Sequence, residues 1–164
     1  MAEAFNEKII TGDKRDRYAI VAQEIAAVLE GEPNLVARMA TVASMLAATF
    51  EDHFWTGFYL VDPDKPDELV VGPYQGTLGC LRIVFGRGVC GTAAATGETQ
   101  IVEDVEAFPG HIACDARSKS EIVVPVRDRS GRLIAVLDID SERPGAFDRA
   151  DAEGLERILK QAFG

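Results

Sequence analysis

The spacing of apolar residues changes once along the chain, from a helical repeat to short strand-like runs, and this change limits the possible folds. Residues 15–30 carry apolar side chains three and four positions apart, which predicts a helix that ends at Gly31 and Pro33. Asn34 can cap a second helix with an apolar face that runs to Phe50. From residue 54 onwards aromatic and β-branched residues predominate in short runs, which predicts strands.

The strand-like part forms two hairpins with a loop-rich stretch between them. The strands are predicted at residues 54–61, 69–74, 81–85, 101–102, 122–126 and 133–139. The first hairpin has its turn at residues 63–67, an alanine-rich segment at 89–96 can form a short helix, and residues 105–120 are irregular. Asp148 caps a C-terminal helix. This order predicts an α+β fold, with an antiparallel sheet, helices packed on one face and a pocket covered by the middle loops.

Length and charge exclude several classes of protein. A chain of 164 residues predicts one domain, 1–164, with residues 1–14 as an N-terminal extension. The formal net charge of −10 argues against binding to nucleic acid or to an anionic membrane surface, since both require basic patches. The chain starts without a basic segment followed by an apolar one, and Arg38 interrupts its longest apolar run. We therefore expect a cytoplasmic protein with mostly reduced thiols.

The three cysteines, Cys80, Cys90 and Cys114, lie in glycine-rich or turn-rich segments. A cysteine that serves only packing usually lies within an apolar element, because a free thiol behaves as a small hydrophobic group. An odd number of cysteines excludes a fully paired disulfide framework within one chain. Thiols in such loops, with carboxylates close by in sequence, indicate redox chemistry.

Three carboxylates are expected to share one cleft. Asp138 and Asp140 are two residues apart on a predicted strand and point to the same face, while Leu137 and Ile139 point to the other. Glu121 opens the partner strand of the same hairpin. Like charges at short range raise one another's pKa, so that one acid can stay protonated near neutral pH and donate a proton. The alternative is that all three are solvated at strand ends.

Two aromatic residues share a face of the first strand. Trp55 and Tyr59 flank Gly57 at the spacing that puts all three on one side. They can form an apolar slot for a methyl or thioether group, although simple packing in the core explains the same pattern.

Metal and nucleotide sites are not indicated. The two histidines are His53 and His111, and the cysteine spacing has no C-x2-C knuckle, so that His111 and Cys114 are the one suggestive pair. No glycine-rich phosphate-binding loop is present.

Five segments together resemble the GAF-domain free methionine-(R)-sulfoxide reductases. They are residues 54–59, 88–100, 108–115, 120–125 and 136–141, in the order of that family. The resemblance covers about residues 15–160 and implies an antiparallel sheet flanked by helices. It also implies thiol-dependent reduction of free L-methionine-(R)-sulfoxide, with no metal or organic cofactor.

The resemblance assigns roles to eight side chains. Cys114 corresponds to the attacking thiol, Cys80 to the resolving thiol and Cys90 to the third catalytic cysteine, with a less defined role. The substrate-binding residues are Trp55, Tyr59, Glu121, Asp138 and Asp140. The reaction would convert Cys114 to a sulfenic acid, form a Cys80–Cys114 disulfide and be completed by thioredoxin. The resemblance also implies a homodimer. The competing hypothesis is a non-catalytic GAF module that senses a small ligand or the redox state.

Overall fold

The computed structural model describes residues 12–164. The proposed extension at residues 1–14 lies almost wholly outside them, and its last residue, Lys14, already belongs to the first helix. The helices are Lys14–Val28 (α1), Leu35–Thr49 (α2), Gly88–Thr96 (α3) and Arg149–Phe163 (α4). The strands are Trp55–Asp62 (β1), Lys65–Gln75 (β2), Arg82–Val84 (β3), Gln100–Val102 (β4), Ser120–Arg127 (β5) and Leu133–Ser141 (β6). No helix of residues 12–164 is long and apolar enough to cross a membrane.

The strands form one antiparallel sheet of six, in the order β3-β2-β1-β6-β5-β4. The predicted α+β class with an antiparallel sheet is confirmed, and each predicted strand is present. Asn34 caps α2 by accepting a hydrogen bond from the backbone of Ala37, and Asp148 caps α4. The three strands at the centre of the sheet, β1, β6 and β5, carry most of the residues that the sequence singled out.

The first hairpin differs from its prediction. Its turn is shorter, because β2 starts at Lys65 and not near residue 69. The pairing jumps from Val61 opposite Leu69 to Asp62 opposite Lys65, so that residues 66–68 bulge out of the ladder. A bulge accommodates Pro66, which has no N–H to donate to a neighbouring strand.

The helices lie on both faces of the sheet, so the prediction that they all pack on one face was wrong. Helices α2 and α4 pack on one face with α1 against them, whereas α3 packs on the opposite face against β5 and β6. Helix α3 is made almost entirely of glycine, alanine and threonine with Val89 and Cys90. Side chains this small allow a helix to lie close to the sheet without a marked apolar stripe.

Alternate residues of the central strands build two separate cores. Phe58, Leu137 and Ile139 join the core under α1, α2 and α4. Trp55 and Tyr59, from the alternate positions of β1, join a second cluster on the α3 face. The second cluster is where Asp138 and Asp140 also emerge from the sheet.

Candidate active site

A pocket opens on the α3 face of the sheet, between the central strands and two loops, residues 76–81 and 108–119. Seven of the eight side chains assigned from the sequence line it, namely Trp55, Tyr59, Cys90, Cys114, Glu121, Asp138 and Asp140. The eighth, Cys80, is joined to Cys114. The structure therefore brings together all the residues that the sequence assigned, from six different segments of the chain.

The three carboxyl groups meet because of the strand register. Glu121 on β5 lies directly opposite Asp140 on β6, and Asp140 in turn lies opposite Trp55 on β1. Asp138, two residues earlier on the same face, lies opposite Gly57. Glu121 and Asp138 are only 5% and 6% exposed, so these two are not solvated strand-end acids.

Burial raises the pKa values of Glu121 and Asp138. Burial, followed by the nearby charge of Asp140, raises the pKa of Glu121 to about 8. Burial and the neighbouring Glu121 also raise the pKa of Asp138 well above its ordinary range, and one oxygen of Asp138, Oδ1, is buried without a hydrogen-bond partner. At neutral pH Glu121 is mostly protonated and can serve as a proton donor.

Asp140 differs from the other two acids in having a hydrogen-bond partner at the rim of the pocket. The hydroxyl of Ser118 donates to Asp140 Oδ1, which favours the ionised form. Burial and the charge of Asp138 outweigh that bond, so that the pKa of Asp140 is still raised. Ser118 comes from the irregular loop and nothing in its sequence context indicated this contact.

Cys90 lies within α3, the short helix that the alanine-rich segment predicted, and is buried, so its thiol is not on a loop as the cysteine pattern had indicated. The helix begins two residues earlier at Gly88, where the backbone has a φ of 62° that favours glycine. The thiol of Cys90 lies 3.9 Å from Glu121 Oε1, as a weak donor. Burial and the nearby carboxyl groups, Asp138 first, raise the pKa of Cys90, which keeps its thiol protonated.

Cys80 and Cys114 form a disulfide at the mouth of the pocket, with their Cα atoms 5.5 Å apart. This is the pairing that the resemblance implied, and Cys90 remains a free thiol. The residue environment of the two sulfurs differs, because Cys80 packs against the apolar cluster around Trp55 whereas Cys114 is exposed.

Trp55 and Tyr59 lie on the same face of β1 and form an aromatic wall of the pocket. The rings of Trp55 and Tyr59 are stacked with centroids 5.7 Å apart, and the ring of Tyr74 lies 5.1 Å from Trp55 on its other side. A Cβ atom on Gly57 would approach the Trp55 ring to 2.8 Å, so only glycine lets the indole lie flat over the strand. A Cβ atom on Gly79 would likewise lie 2.9 Å from that ring. Gly79 therefore allows the loop that carries Cys80 to rest on the aromatic wall.

Hydrogen bonds tie the two cysteine-bearing loops together. The indole N–H of Trp55 donates to the carbonyl of Thr77 over 2.8 Å, and the Thr77 hydroxyl donates to Asp115 over 2.8 Å. Asp115 also accepts hydrogen bonds from Arg117, which hold the pKa of this carboxyl well below its usual range. Arg117 in turn lies over the ring of Phe54. These bonds place Cys114 next to Cys80, and sequence spacing alone did not reveal them.

The histidines lie on opposite faces of the sheet and do not form a shared site. His53 is buried on the helix-covered face between the rings of Phe50 and Phe147. His111 lines the pocket, with Nε2 3.6 Å from Glu121 Oε2, and burial lowers its pKa. His111 was considered only as a metal ligand beside Cys114, so its contact with Glu121 was missed.

One set of three metal-ligating side chains comes together within residues 12–164. The donor atoms of Cys90, Glu121 and Asp138 lie within 4.8 Å of one another. Burial raises the pKa of each, so a metal ion would have to displace protons from buried groups in order to bind. The arrangement fits three proton-bearing groups that face a polar ligand.

The start of α3 provides the complementary positive potential in the same pocket. Arg87, Gly88 and Val89 all line it, and no side chain caps the first turn of the helix. Backbone N–H groups at a helix N-terminus attract anions. One pocket therefore presents carboxyl groups on the floor of the sheet and an anion-binding helix end at its side.

Comparison with known proteins agrees with this geometry. The model of the GAF domain family matches residues 38–162. The free methionine-R-sulfoxide reductase of Escherichia coli is 44% identical over 149 residues, which are 91% of this chain and 88% of that protein. The crystal structure of the free methionine-R-sulfoxide reductase of Neisseria meningitidis in complex with its substrate is 48% identical, with a TM-score of 0.89 over 94% of this chain and 91% of that chain.

A further similar structure has been described as a sensor and not as a reductase. A putative GAF sensor protein from Burkholderia vietnamiensis is 45% identical, with a TM-score of 0.87 over 93% of this chain and 94% of that chain. The chain therefore belongs to the GAF-domain family and, within it, to the group that contains the free methionine-R-sulfoxide reductases.

Proposed function

We propose that the protein is an oxidoreductase that reduces free L-methionine-(R)-sulfoxide to methionine with its own thiols. The observation that supports this most is the Cys80–Cys114 disulfide at the mouth of a pocket whose floor holds Glu121, a carboxylic acid that stays protonated at neutral pH. The relatives named for this activity are similar to the chain over nearly its whole length.

Cys114 is the attacking thiol in this proposal. Its side chain is exposed at the pocket mouth, whereas Cys90 is buried among carboxyl groups that keep it protonated. A thiolate is the reactive form of cysteine, so the buried thiol is a poor nucleophile. The sulfur of Cys114 attacks the sulfur of the sulfoxide. The sulfoxide oxygen takes up a proton and passes to the sulfur of Cys114 as its bond to the substrate sulfur breaks, which gives methionine and a sulfenic acid on Cys114.

Glu121 supplies that proton. Its pKa of about 8 makes it an acid that is present in protonated form and still able to give up its proton near neutral pH. The thiol of Cys90, 3.9 Å away, supports Glu121 as a positioning residue by donating a weak hydrogen bond. In this proposal Cys90 contributes to catalysis through Glu121 and does not form the disulfide.

The two charged ends of a free amino acid find opposite partners in the pocket. The unpartnered oxygen of Asp138 and the carboxyl of Asp140 can accept hydrogen bonds from the substrate ammonium. The first N–H groups of α3 and the Arg87 side chain can bind the substrate carboxylate. Binding of both ends favours a free amino acid over a residue within a peptide, which has neither charge.

Trp55 and Tyr59, whose stacked rings line the pocket, bind the methyl group of the sulfoxide. An aromatic ring near sulfur contributes a favourable contact of about 0.3–1.5 kcal/mol.

The cycle closes with two thiol steps. Release of methionine leaves Cys114 as a sulfenic acid, which the thiol of Cys80 attacks to form the disulfide and water. A protein dithiol of the thioredoxin class then reduces the disulfide and becomes oxidised itself. We also propose that the protein is cytoplasmic and forms a homodimer. Sedimentation of the purified protein tests the homodimer.

The substrate is tested by coupling turnover to NADPH oxidation through thioredoxin and thioredoxin reductase. Free methionine-(R)-sulfoxide should be reduced, and the S epimer and a peptide containing methionine sulfoxide should be turned over at least about tenfold more slowly. Equal rates for the two epimers, or faster reduction of the peptide, would contradict the proposal.

A second candidate is a non-catalytic GAF module that senses a small ligand or the redox state. The similar protein described as a putative GAF sensor favours it. A sensor would bind methionine sulfoxide or change its redox state without releasing methionine. Detection of free methionine in excess over protein separates the two functions.

A further inference from the structure

The disulfide is surrounded by exposed apolar side chains. Leu78 and Leu81, which flank Cys80, are 78% and 69% exposed, more than any other large apolar residue among those that the structure describes. Ile112 and Ala113, next to Cys114, are also exposed. We call Leu78, Leu81, Ile112 and Ala113 the disulfide patch.

The disulfide patch has no evident structural function. Its members come from two loops that the Cys80–Cys114 bond brings side by side, with Cα atoms 5.5 Å apart. Exposed leucine side chains lower solubility and are costly to keep unless a partner covers them. The apolar side chains thus surround the one bond that must be reduced after every turnover of the proposed enzyme.

We propose that the disulfide patch is the docking surface for the protein dithiol that reduces the Cys80–Cys114 bond, an inference that rests on the proposed function. The two cysteines are not equally exposed, because Cys80 is half-buried against the apolar cluster and Cys114 is exposed. We therefore expect an incoming thiol to approach Cys114. A protein that places its cysteine there necessarily covers Ile112 and the two leucines.

Charges at the border of the patch indicate what kind of partner it accepts. The chain has a net charge of −10, yet Arg82, Arg87 and Arg117 lie close in sequence to the patch residues. Arg87 makes no ion pair with any residue from 12 to 164, while the other two are paired with acids. The patch thus suits a dithiol protein with an apolar surface around its cysteine and an uncharged or acidic border. Without the arginines near the patch, the acidic remainder of the molecule would repel an acidic partner.

The reduction balances as a two-electron exchange. The partner's thiolate attacks the sulfur of Cys114, a mixed disulfide forms, and Cys80 leaves as a thiolate that takes up a proton. The partner's second cysteine, as a thiolate, attacks the sulfur of its own first cysteine, forms the partner's internal disulfide and releases Cys114. The chain gains two electrons and two protons, and the partner loses them.

The test compares a protein reductant with a small one. Leu81→Asp places a charge in the patch at a residue that does not line the pocket, Leu81→Met keeps the apolar surface, and Val36→Asp is a matched change at a residue 58% exposed on α2. We expect Leu81→Asp to raise the KM for thioredoxin about tenfold, the scale of a moderate interface residue. Turnover driven by dithiothreitol should stay within twofold, and Leu81→Met and Val36→Asp should behave as the unchanged protein.

The attacked sulfur is tested with a thioredoxin variant that lacks its second cysteine. Acid quenching followed by mass spectrometry should find the mixed disulfide on Cys114. An unchanged KM for thioredoxin in Leu81→Asp, or a dimer that this variant dissociates, would overturn the docking surface while leaving turnover with dithiothreitol intact. Absence of turnover with both reductants in the unchanged protein would instead overturn the proposed function, and the docking inference with it.

Discussion

The buried carboxyl groups of Asp151 and Asp138, on opposite sides of the sheet, are held in opposite ways. Asp151 at the start of α4 is 1% exposed and lies in an ion pair with Lys14, and it accepts hydrogen bonds from the Tyr18 hydroxyl over 2.8 Å and from the backbone of Asp148 over 2.8 Å. Asp138 in the pocket is also buried, at 6% exposed, but no lysine or arginine of the described residues pairs with it and its Oδ1 has no partner.

The difference separates a structural acid from a functional one. A buried carboxylate with a cation and full hydrogen bonding holds its neighbours together, here α1 and α4, and breaking the set is costly. A buried carboxyl without partners reduces stability and is kept only if something else binds it. In the pocket the missing partners are supplied by the substrate in our proposal, and the predictions that follow test this contrast.

The largest effect should come from the thiols of the pocket face. Cys114→Ser should abolish even a single turnover, because the other free thiol, Cys90, is buried and protonated. Cys80→Ser should release about one methionine per chain from the reduced protein and then stall with a sulfenic acid on Cys114. Single-turnover assays with methionine quantified by chromatography, and trapping of the sulfenic acid with dimedone, measure both outcomes.

The third cysteine and the pairing provide the control. Cys90→Ser should retain most recycling, since this residue acts through Glu121 and not through a disulfide. Non-reducing digestion of the oxidised protein should yield a Cys80–Cys114 peptide pair. A dominant Cys90–Cys114 pair, with full recycling by Cys80→Ser, would show that the resolving thiol is wrongly assigned.

A second prediction compares the removal of the structural acid, Asp151, with the removal of the pocket acid, Asp138. Asp151→Asn should lower the free energy of unfolding by about 2 kcal/mol, because it removes the partner of Lys14 within a buried network. Its kcat/KM should stay close to that of the unchanged protein below the unfolding transition. Asp138→Asn should do the reverse, with little change in urea unfolding and a raised KM. If both variants lose stability to the same extent, the contrast between the two sites is invalid.

A smaller effect is expected at the other two pocket acids. Glu121→Gln removes the proton donor and Asp140→Asn removes a charge at the substrate ammonium. Each should lower kcat/KM at least about tenfold, the lower scale of lost acid catalysis or of a charge-assisted hydrogen bond. The two variants should differ in the kinetic constant that changes. Glu121→Gln should lower kcat, whereas Asp140→Asn should mainly raise KM. Initial-rate kinetics with wild-type behaviour in both variants would leave the cluster without a catalytic function.

Periodicity was enough to predict most of the fold and the acid cluster. The alternation of apolar and acidic residues on β6 already places Asp138 and Asp140 opposite Leu137 and Ile139, and this holds in the structure. Helix α3 was placed less well, because a helix of small residues has no stripe that would indicate its face. The start of β2 was missed because Pro66 is typical of a turn, whereas here it lies in a bulge.

The parts of the site that sequence reasoning missed depend on contacts between distant segments. Ser118 reaches Asp140, His111 reaches Glu121 and Thr77 reaches Asp115, in each case from a loop with no periodic pattern. Such contacts are set by how the two loops fold over the sheet, which local residue preferences do not determine. The raised pKa of Glu121 was expected in kind, but the neighbouring charges were taken as its cause, whereas burial is the larger contribution.

The smallest effect, and the most direct test of the contrast between the two faces, is the dependence of stability on pH. Glu121 has a folded-state pKa of about 8, far above its unfolded value. A carboxyl group whose pKa is raised on folding binds more protons in the folded state than in the unfolded state. Its contribution to stability is therefore present at low pH and is lost as the pH rises from about 4.5 towards 8. Thermal unfolding of the reduced and the oxidised protein between pH 5 and pH 9 should therefore show stability decreasing with pH.

In Glu121→Gln this decrease of stability with pH should flatten, and above about pH 8 the variant should be the more stable by about 1 kcal/mol, or about 2–4 °C in Tm. Parallel slopes in the unchanged protein and in Glu121→Gln would mean that Glu121 is ionised in the folded protein at neutral pH, and it could not then be the proton donor.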